Sequence, residues 1–215
     1  MKVCKTKDCS NTNIIGWGYC NKHYQQFKLH GETFRSVYDR NKIIKKGKIA
    51  FIELYDRQGN ITAKAIIDSE DIEKVKQFKW HAKKMVSMSN KYYVYYNITR
   101  CKCTGLHNVI TGKKGIDHIN RNPLDNRKYN LRIATASQQN MNKDRQNNNK
   151  SGYTGVFYHY RKIDGKYYGY WEGWIIKNKK RIYLGQSKNK EKIIKLRKEA
   201  EIKYFGEYRN VNQTL

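Results

Sequence analysis

The segment from Leu106 to Asn142 constrains this chain more than any other part of its sequence. Its acidic, imidazole and carboxamide side chains are concentrated at His107, Asp117, His118, Asn126, Asn130, Asn140 and Asn142. An Asp-His pair followed by spaced asparagines can hold one hard divalent cation beside one imidazole base. That combination is typical of phosphodiester hydrolysis, in which a metal stabilises the leaving oxygen and a base activates water.

Composition points to small modules and a polyanionic partner. Apolar residues make up 38% of the 215, which is low for one large core. The 45 lysines and arginines outnumber the 18 acids and give a net charge of +27, which favours nucleic acid as partner and predicts strongly salt-dependent binding. A basic membrane-surface protein is the alternative, but no basic amphipathic helix dominates, and no apolar run is long enough to span a membrane.

The cysteines near the N-terminus predict a metal site. Cys4, Cys9, Cys20 and His23 follow the spacing C-x4-C-x10-C-x2-H, which suits tetrahedral Zn²⁺. The opening residues lack the apolar stretch of a signal peptide, so we expect a reducing, cytoplasmic location, where spaced cysteines favour metal over disulfides. Residues 1–40 should form this module, fold on metal binding and contain a basic helix that ends at Gly31.

Residues 41–105 are expected to form a β-rich lead-in. Alternating apolar residues around Gln58-Gly59-Asn60 predict a hairpin, and the segment 68–80 predicts a helix with Ile72, Val75 and Phe78 on one side. Cys101 and Cys103 have His107 nearby but lack a local fourth ligand for a second metal site, so we interpret them as structural.

Residues 106–145 carry the candidate chemistry. Asp117 and His118 should end a strand, and a loop with the only proline of the chain should return to a second strand near Asn130. Thr135 or Ser137 should cap a final helix that carries Asn140. A polar run follows, and we assign the linker to residues 146–152.

Residues 153–215 predict a separate module of three antiparallel strands and a helix. Asp164-Gly165 and Asn178-Lys179 mark the two turns. The helix should run from Asn189, as N-cap, to about Phe205. Its apolar stripe should cover one face of the sheet through Ile193, Leu196, Ala200 and Tyr204.

The central segment resembles the HNH (His-Me finger, ββα-metal) endonucleases of the homing type. The resemblance rests on five motifs in order: LH at 106–107, DHIN at 117–120, NPLDNR at 122–127, NLRIAT at 130–135 and SQQNMN at 137–142. It implies that His118 is the general base and that Asp117 and Asn140 ligate the metal. It also implies that Asn130 orients the imidazole and steadies the loop.

Two positions leave the resemblance open in detail. Gln139 adjoins Asn140, so the final ligand could shift by one residue. Asn108 stands where the family usually has arginine, which puts a phosphate contact there in doubt but not the catalytic core. The oxygen donors suit Mg²⁺ or Mn²⁺ rather than zinc.

The flanking modules have resemblances of their own. The first is similar to zinc-binding modules at the front of some phage endonucleases, through Cys20, Lys22, His23, Tyr24, His30 and Gly31. The last resembles the APETALA (ethylene-response-factor) DNA-binding domain, from Ser151 to Glu207. Such a sheet can enter the major groove. Its candidate DNA contacts are Tyr158, Arg161, Lys162, Lys166, Tyr168, Trp171, Lys177 and Arg181, and the candidate phosphate contacts near the chemistry are Arg132, Lys143 and Arg145.

Together these features predict a modular α+β protein: a small zinc-binding unit, a β-rich lead-in with a ββα-metal core, and a three-stranded sheet with a helix. The expected function is a monomeric, homing-type endonuclease that cleaves or nicks double-stranded DNA with one Mg²⁺ or Mn²⁺, beside a structural Zn²⁺. The competing interpretations are a non-catalytic DNA-binding regulator and an RNA-associated nuclease component, because RNA would also suit the basic surfaces.

Overall fold

The computed structural model describes residues 2–6, 9, 11–34, 39–85, 91–145 and 148–210. It is mixed α+β, with several small sheets and few helices, which confirms the predicted fold class. The chain divides into two compact units, Met1–Ile133 and Ala134–Leu215, so the division falls inside the predicted core 106–145. In the described part of the chain no helix is long and apolar enough to cross a membrane.

The N-terminal part of the first unit is a hairpin followed by a helix. Its elements are β1 (Ile14–Gly16), β2 (Tyr19–Cys20) and α1 (Asn21–His30). The helix ends where it was predicted to end, because Gly31 adopts a left-handed conformation (φ 72°) and its N–H donates to the Phe27 carbonyl at 2.8 Å. Trp17 packs its ring against Tyr24 and Phe27, so contacts between aromatic rings contribute to the small apolar core of this part.

The lead-in consists of two three-stranded antiparallel sheets within the described residues 39–85 and 91–105. The elements are β3 (Ile43–Lys46), β4 (Ile49–Tyr55), β5 (Ile61–Asp68), α2 (Ile72–Val75), β6 (His81–Met85), β7 (Lys91–Asn97), β8 (Cys103–Gly105) and α3 (Leu106–Thr111). They share one core with fully buried Ile52, Leu54, Ile67, Trp80 and Leu106. The predicted hairpin is confirmed as β4 and β5.

The predicted helix over 68–80 is much shorter than expected. A 3₁₀ turn, Ser69–Asp71, leads into α2, which ends at Val75. The aromatic residues beyond it leave the helix to enter the core: Phe78 stacks on Tyr96 with ring centroids 4.3 Å apart, and the Trp80 indole N–H donates to the Val75 carbonyl at 2.9 Å. Burial of two large rings outweighs the local helical preference.

Two short strands frame the candidate site: β9 (Ile116–His118) and β10 (Leu131–Ile133), paired antiparallel. The loop between them docks on β5 as a single parallel bridge. Ile66 N–H donates to the Leu124 carbonyl, and Asn126 N–H donates to the Ile66 carbonyl, both at 2.7 Å. The lead-in sheet thereby fixes the backbone of a loop that would otherwise have little to hold it.

The second unit begins with α4 (Ala136–Met141), capped by Thr135, whose side chain accepts from the Gln138 N–H in a capping box. A three-stranded antiparallel sheet and a helix follow: β11 (Val156–Ile163), β12 (Lys166–Lys177), β13 (Lys180–Ser187) and α5 (Lys190–Phe205). The predicted strands, both turns and the Asn189 cap are confirmed. The turn residues Asp164, Gly165, Asn178 and Lys179 all have positive φ, as tight hairpins require.

The helix α5 buries an ion pair that its apolar pattern did not reveal. Arg197 and Glu201 are 4% and 6% exposed, with Nε and Oε1 3.1 Å apart. Arg197 Nε also donates to the Thr154 carbonyl, and Tyr153 donates its hydroxyl to Glu201 at 3.1 Å. Burial raises the pKa of the Glu201 carboxyl, and the nearby Arg197 opposes that rise. From the sequence alone, charged residues at these positions of a helix are expected to face solvent. In the structure both side chains are on the buried face of α5.

We predict that Arg197→Met destabilises the second unit by about 3 kcal/mol, because it leaves the Glu201 carboxylate buried without its counter-charge. Lys195→Met removes a cation from an exposed position of the same helix and should change the free energy of unfolding by less than about 0.5 kcal/mol. Chemical denaturation of both variants measures the difference. Equal stabilities would show that the buried pair contributes nothing.

Candidate functional site

Asp117 and His118 occupy the end of β9, where the sequence predicted them. Across the strand pair, His118 faces Leu131 and Asp117 faces Arg132. Arg132 donates to Asp117 Oδ2 through Nε at 3.0 Å and through Nη2 at 2.8 Å. The side chain proposed from the sequence for a phosphate therefore holds the candidate metal ligand in this structure.

The imidazole of His118 is oriented by Asn126. The ring is buried, with 6% of the residue exposed, and its Nε2 lies 3.3 Å from Asn126 Oδ1. Asn126 Nδ2 donates to the Pro123 carbonyl at 3.1 Å, which fixes the amide so that its oxygen faces the histidine. An acceptor at that position requires the proton on Nε2, so the lone pair of the neutral ring lies on Nδ1.

Of the two roles that the sequence assigned to Asn130, its contacts in the structure match the steadying of the loop. Its Oδ1 accepts from Asn120 N–H at 2.9 Å, and its Nδ2 donates to Asn120 Oδ1 at 3.0 Å and to the Asp125 carbonyl at 2.7 Å. The imidazole contact predicted for Asn130 is therefore made by Asn126, while Asn130 ties the loop together. Both asparagines are only 1% exposed, so burial does not distinguish them.

The electrostatics of the site lower the pKa of His118 and so favour the neutral ring. Burial lowers the pKa of the imidazole, and the Asn126 contact together with the charges of Asp117 and Asp125 opposes that change. Asp125 is itself paired with Arg127, which donates to Oδ1 at 2.8 Å and to Oδ2 at 2.7 Å. Burial raises the pKa of the Asp125 carboxyl, but the Arg127 contacts outweigh it and the net pKa is lowered.

His107 is a site residue that the sequence analysis noted without giving it a role. Its ring meets the His118 ring edge-on, with the ring centroids 5.2 Å apart. The ring centroid of Tyr93 lies 6.4 Å from that of His118. Burial, and secondarily the charge of His118, lowers the pKa of His107 to about 4. At neutral pH the His107 ring is therefore uncharged, and it packs against one side of His118. His107 is the second residue of α3, and its place in the LH motif ahead of Asp117 and His118 was the only sequence signal for a position at this site.

The Asp117 carboxylate is a donor that suits a hard divalent cation. Asn140, the second ligand predicted from the sequence, occupies an exposed position of α4 in the second unit. Gln139, the alternative, precedes it on the same helix and is half-buried. Assignment of the second ligand rests on the sequence motif and stays a prediction.

The four predicted zinc ligands lie together in the first unit. One ligand atom from each of Cys4, Cys9, Cys20 and His23 falls within 4.8 Å of all the others. Cys4, Cys20 and His23 are buried, and His23 Nδ1 lies 3.3 Å from Cys4 Sγ and 3.4 Å from Cys20 Sγ. The set is compatible with tetrahedral Zn²⁺.

Thiol electrostatics also fit a cation at this cluster. Burial alone would raise the pKa of Cys4, but backbone N–H groups of Cys20 and Thr6 and side-chain contacts lower it to about 6. Burial raises the pKa of Cys9 to about 11, and the neighbouring thiols Cys4 and Cys20 add to the rise. Three sulfurs this close cannot all ionise without a positive charge among them, and a divalent metal ion supplies it.

The sheet of the second unit has one face covered by α5 and one open face. Trp171 and Val156 pack in the cluster beneath α5 with Ile193, and cross-strand pairing places alternate residues on the opposite side. The open face is defined by Phe157, His159, Arg161, Lys166, Tyr168, Tyr170, Glu172, Trp174, Arg181 and Tyr183. Its two arginines lie over rings: Arg181 is 4.0 Å from the Trp174 centroid and Arg161 is 5.5 Å from that of Tyr170.

The candidate DNA contacts of this module divide between the two faces. Arg161, Lys166, Tyr168 and Arg181 are on the open face, while Tyr158, Lys162, Trp171 and Lys177 are on the side of α5. Trp171 packs against the core, and Lys177 donates to the Tyr204 carbonyl at the end of α5. Lys143 and Arg145 are exposed just after α4. Sequence spacing identified the basic strands but not which side chains the helix would cover.

Comparison with known proteins supports a nuclease centre. Residues 110–141 match the family model described as HNH endonuclease, a range that contains Asp117, His118, Asn126, Asn130 and Asn140. Searches of curated proteins and of solved structures found no match. The match supports an HNH nuclease segment over these residues, and the modules on either side of it are interpreted from their own residues.

The two buried asparagines give a matched pair for testing the site. We predict that Asn126→Ala slows single-turnover DNA cleavage roughly 100-fold, because the His118 tautomer is no longer fixed. Asn130→Ala should instead lower the free energy of unfolding of the first unit by about 3 kcal/mol, because three buried hydrogen bonds are lost. Cleavage rates are compared with denaturation curves at a temperature where both variants are folded. The assignment fails if Asn130→Ala carries the larger rate defect in fully folded protein.

Proposed function

We propose that this chain is a metal-dependent HNH endonuclease of the homing type, which hydrolyses a phosphodiester bond in double-stranded DNA. The observation that carries the proposal is the imidazole of His118, kept neutral by burial and fixed by Asn126, beside the Asp117 carboxylate in the segment that matches the HNH model. A neutral, oriented imidazole next to a hard-ligand carboxylate is what metal-assisted hydrolysis requires.

In the proposed mechanism His118 is the general base. Nδ1 accepts a proton from the water that attacks the phosphorus, and the ring becomes an imidazolium while Asn126 Oδ1 continues to accept from Nε2–H. The bond from phosphorus to the 3′ oxygen breaks as the new bond forms. Asp117 and Asn140 would hold Mg²⁺ or Mn²⁺, and this metal would polarise the phosphate and stabilise the leaving oxygen. Arg132, already bonded to Asp117, is suited to the phosphate that such a metal would bring beside it.

The open face of the C-terminal sheet supplies DNA affinity in this proposal. Its arginines are held flat over aromatic rings, so less side-chain entropy is lost when they contact a phosphate or base edge. A three-stranded sheet fits the major groove through one face, and the other is occupied by α5. The net charge of +27 is large enough to make association strongly salt-dependent.

The remaining modules fit a nuclease that reads a long site. The zinc module would add a further basic surface, through exposed lysines such as Lys5 and Lys28. One HNH segment in a monomer provides one hydrolytic centre, so the expected first product is a nicked strand.

Cleavage of supercoiled plasmid tests the enzyme directly. We predict that wild-type protein with Mg²⁺ relaxes the plasmid and that His118→Ala reduces the rate constant at least roughly 100-fold. The reason is loss of the proton acceptor, so DNA affinity should remain that of the wild type. His30→Ala removes an exposed imidazole at the end of α1, so it is the control for general loss of an imidazole and should retain the cleavage rate at saturating enzyme. Equal products from wild type and His118→Ala would instead indicate a non-catalytic binding protein or a contaminating nuclease.

The binding face is tested on one strand of the sheet. We predict that Arg161→Ala weakens DNA binding and reduces the slope of log affinity against log salt by about 1, as expected for one lost phosphate contact. The adjacent Lys162→Ala removes the same charge from the opposite face and should leave that slope within about 0.3 of wild type. Fluorescence anisotropy over a salt series gives both slopes. Equal losses would mean that net charge, rather than the open face, governs binding.

A further inference from the structure

The two ring nitrogens of His23 face different surroundings. Nδ1 points to the thiol cluster, at 3.3 Å from Cys4 Sγ and 3.4 Å from Cys20 Sγ. Nε2 is buried and has no hydrogen-bond partner among the described residues. A carboxylate oxygen of Asp39, Oδ1, lies 3.6 Å from it, just beyond hydrogen-bond length. Asp39 is outside the set of residues that could ligate the metal directly.

Zinc chemistry specifies what must happen at Nε2. A neutral imidazole that donates its Nδ1 lone pair to a metal carries its only ring proton on Nε2. That N–H is then a buried donor, and a buried donor without an acceptor is strongly disfavoured. The Asp39 carboxylate is the charged acceptor next to it, and a shift of about half an ångström would make the hydrogen bond.

We propose that Asp39 is the positioning residue of the zinc site: it accepts the Nε2–H of His23, fixes the tautomer that presents Nδ1 to the metal, and strengthens zinc binding. This inference rests on the zinc site proposed above and is independent of nuclease activity. Asp39 touches no metal in this arrangement and acts only through His23. A carboxylate in this position also makes the imidazole a more basic ligand.

The carboxylate is held in place from two directions before any metal binds. Lys22, adjacent to His23 on α1, donates to Asp39 Oδ2 at 2.6 Å and also offsets its charge beside three potential thiolates. On the other side, Asn41 fixes the chain to the lead-in. Its Nδ2 donates to the carbonyls of Glu53 and Trp80, and its Oδ1 accepts from Trp80 N–H at 2.7 Å.

This arrangement connects the metal module to the sheet behind it. Asp39 Oδ1 lies 3.6 Å from Nε2 of the proposed zinc ligand His23. Asn41, two residues later, is hydrogen-bonded to Glu53 in β4 and to Trp80, just before β6. The acceptor for His23 is therefore held both by Lys22 of the zinc module and, through Asn41, by the lead-in. Preorganised support of this kind is what turns a ligand set into a high-affinity site.

The test measures zinc affinity in the full chain. Zinc-loaded protein is titrated with a chromophoric chelator of known zinc affinity. Asp39→Ala should bind zinc roughly 10- to 100-fold more weakly than wild type. Asp39→Asn, which keeps an oxygen acceptor without the charge, should fall between them and covers the case in which the alanine variant does not fold. Glu73→Gln removes one acid from an exposed position of α2 and should match wild type.

A second readout separates positioning from general stability. Long-range ¹⁵N–¹H spectra of the zinc-loaded protein should show a His23 Nε2–H that exchanges slowly in wild type and Glu73→Gln and is lost to exchange in Asp39→Ala. The inference is overturned if both Asp39 variants bind zinc within threefold of wild type, or if the Nε2–H is equally protected in all proteins. It is also overturned if wild type binds no zinc. Zinc binding as expected together with failure of plasmid cleavage would leave it standing and refute only the nuclease.

Discussion

The docking of the β9–β10 loop on the edge of β5 is the constraint on which the candidate site depends. Two backbone hydrogen bonds from Ile66 hold Leu124 and Asn126, and the latter residue carries the amide that sets the His118 tautomer. A loop between two three-residue strands has too few contacts of its own to hold an imidazole within the tolerance that catalysis needs. Under the proposed function, the lead-in would contribute to the chemistry by fixing this loop, without supplying a reacting group.

Local chemistry made the second unit predictable from sequence, whereas non-local contacts limited prediction in the first. Asp164-Gly165 and Asn178-Lys179 specify tight turns, and Asn189 specifies a helix start, so strands and helix follow from neighbouring residues. The choice between Asn126 and Asn130 has no such local signal. Both are asparagines in one loop, and only the bridge from Ile66 decides which amide meets the histidine. For the same reason spacing in the sequence predicted the cluster of Cys4, Cys9, Cys20 and His23 but could not reveal Asp39. The position of Asp39 beside His23 depends on how Asn41 attaches the chain to the lead-in.

Charge is distributed in the chain according to what surrounds it. On the open face Arg161 and Arg181 lie over rings and retain access to solvent, so their charge is directed outward. Arg197 lies on the buried face of α5 and pairs with Glu201, so its charge is not available for contact with a partner. Arg132 pairs with Asp117 at the candidate centre. The formal charge of +27 already subtracts these carboxylates, so the internal ion pairs leave it unchanged. Salt dependence measures how many of the remaining exposed cations contact a polyanion.

His23 and His118 show how the same type of side chain can be used in two ways. Under the proposals made here both rings carry their proton on Nε2 and present Nδ1, one to zinc and the other to water. The difference lies in the acceptor: the Asp39 carboxylate raises the electron density of a ligand, whereas the neutral Asn126 amide orients a base without adding a charge that would favour the imidazolium. The donor sets also differ, since thiolates favour zinc and the oxygens of Asp117 and Asn140 favour Mg²⁺ or Mn²⁺. Exchange of the two acceptors would therefore harm both sites, because a carboxylate at 126 would hold the base protonated and an amide at 39 would weaken the ligand.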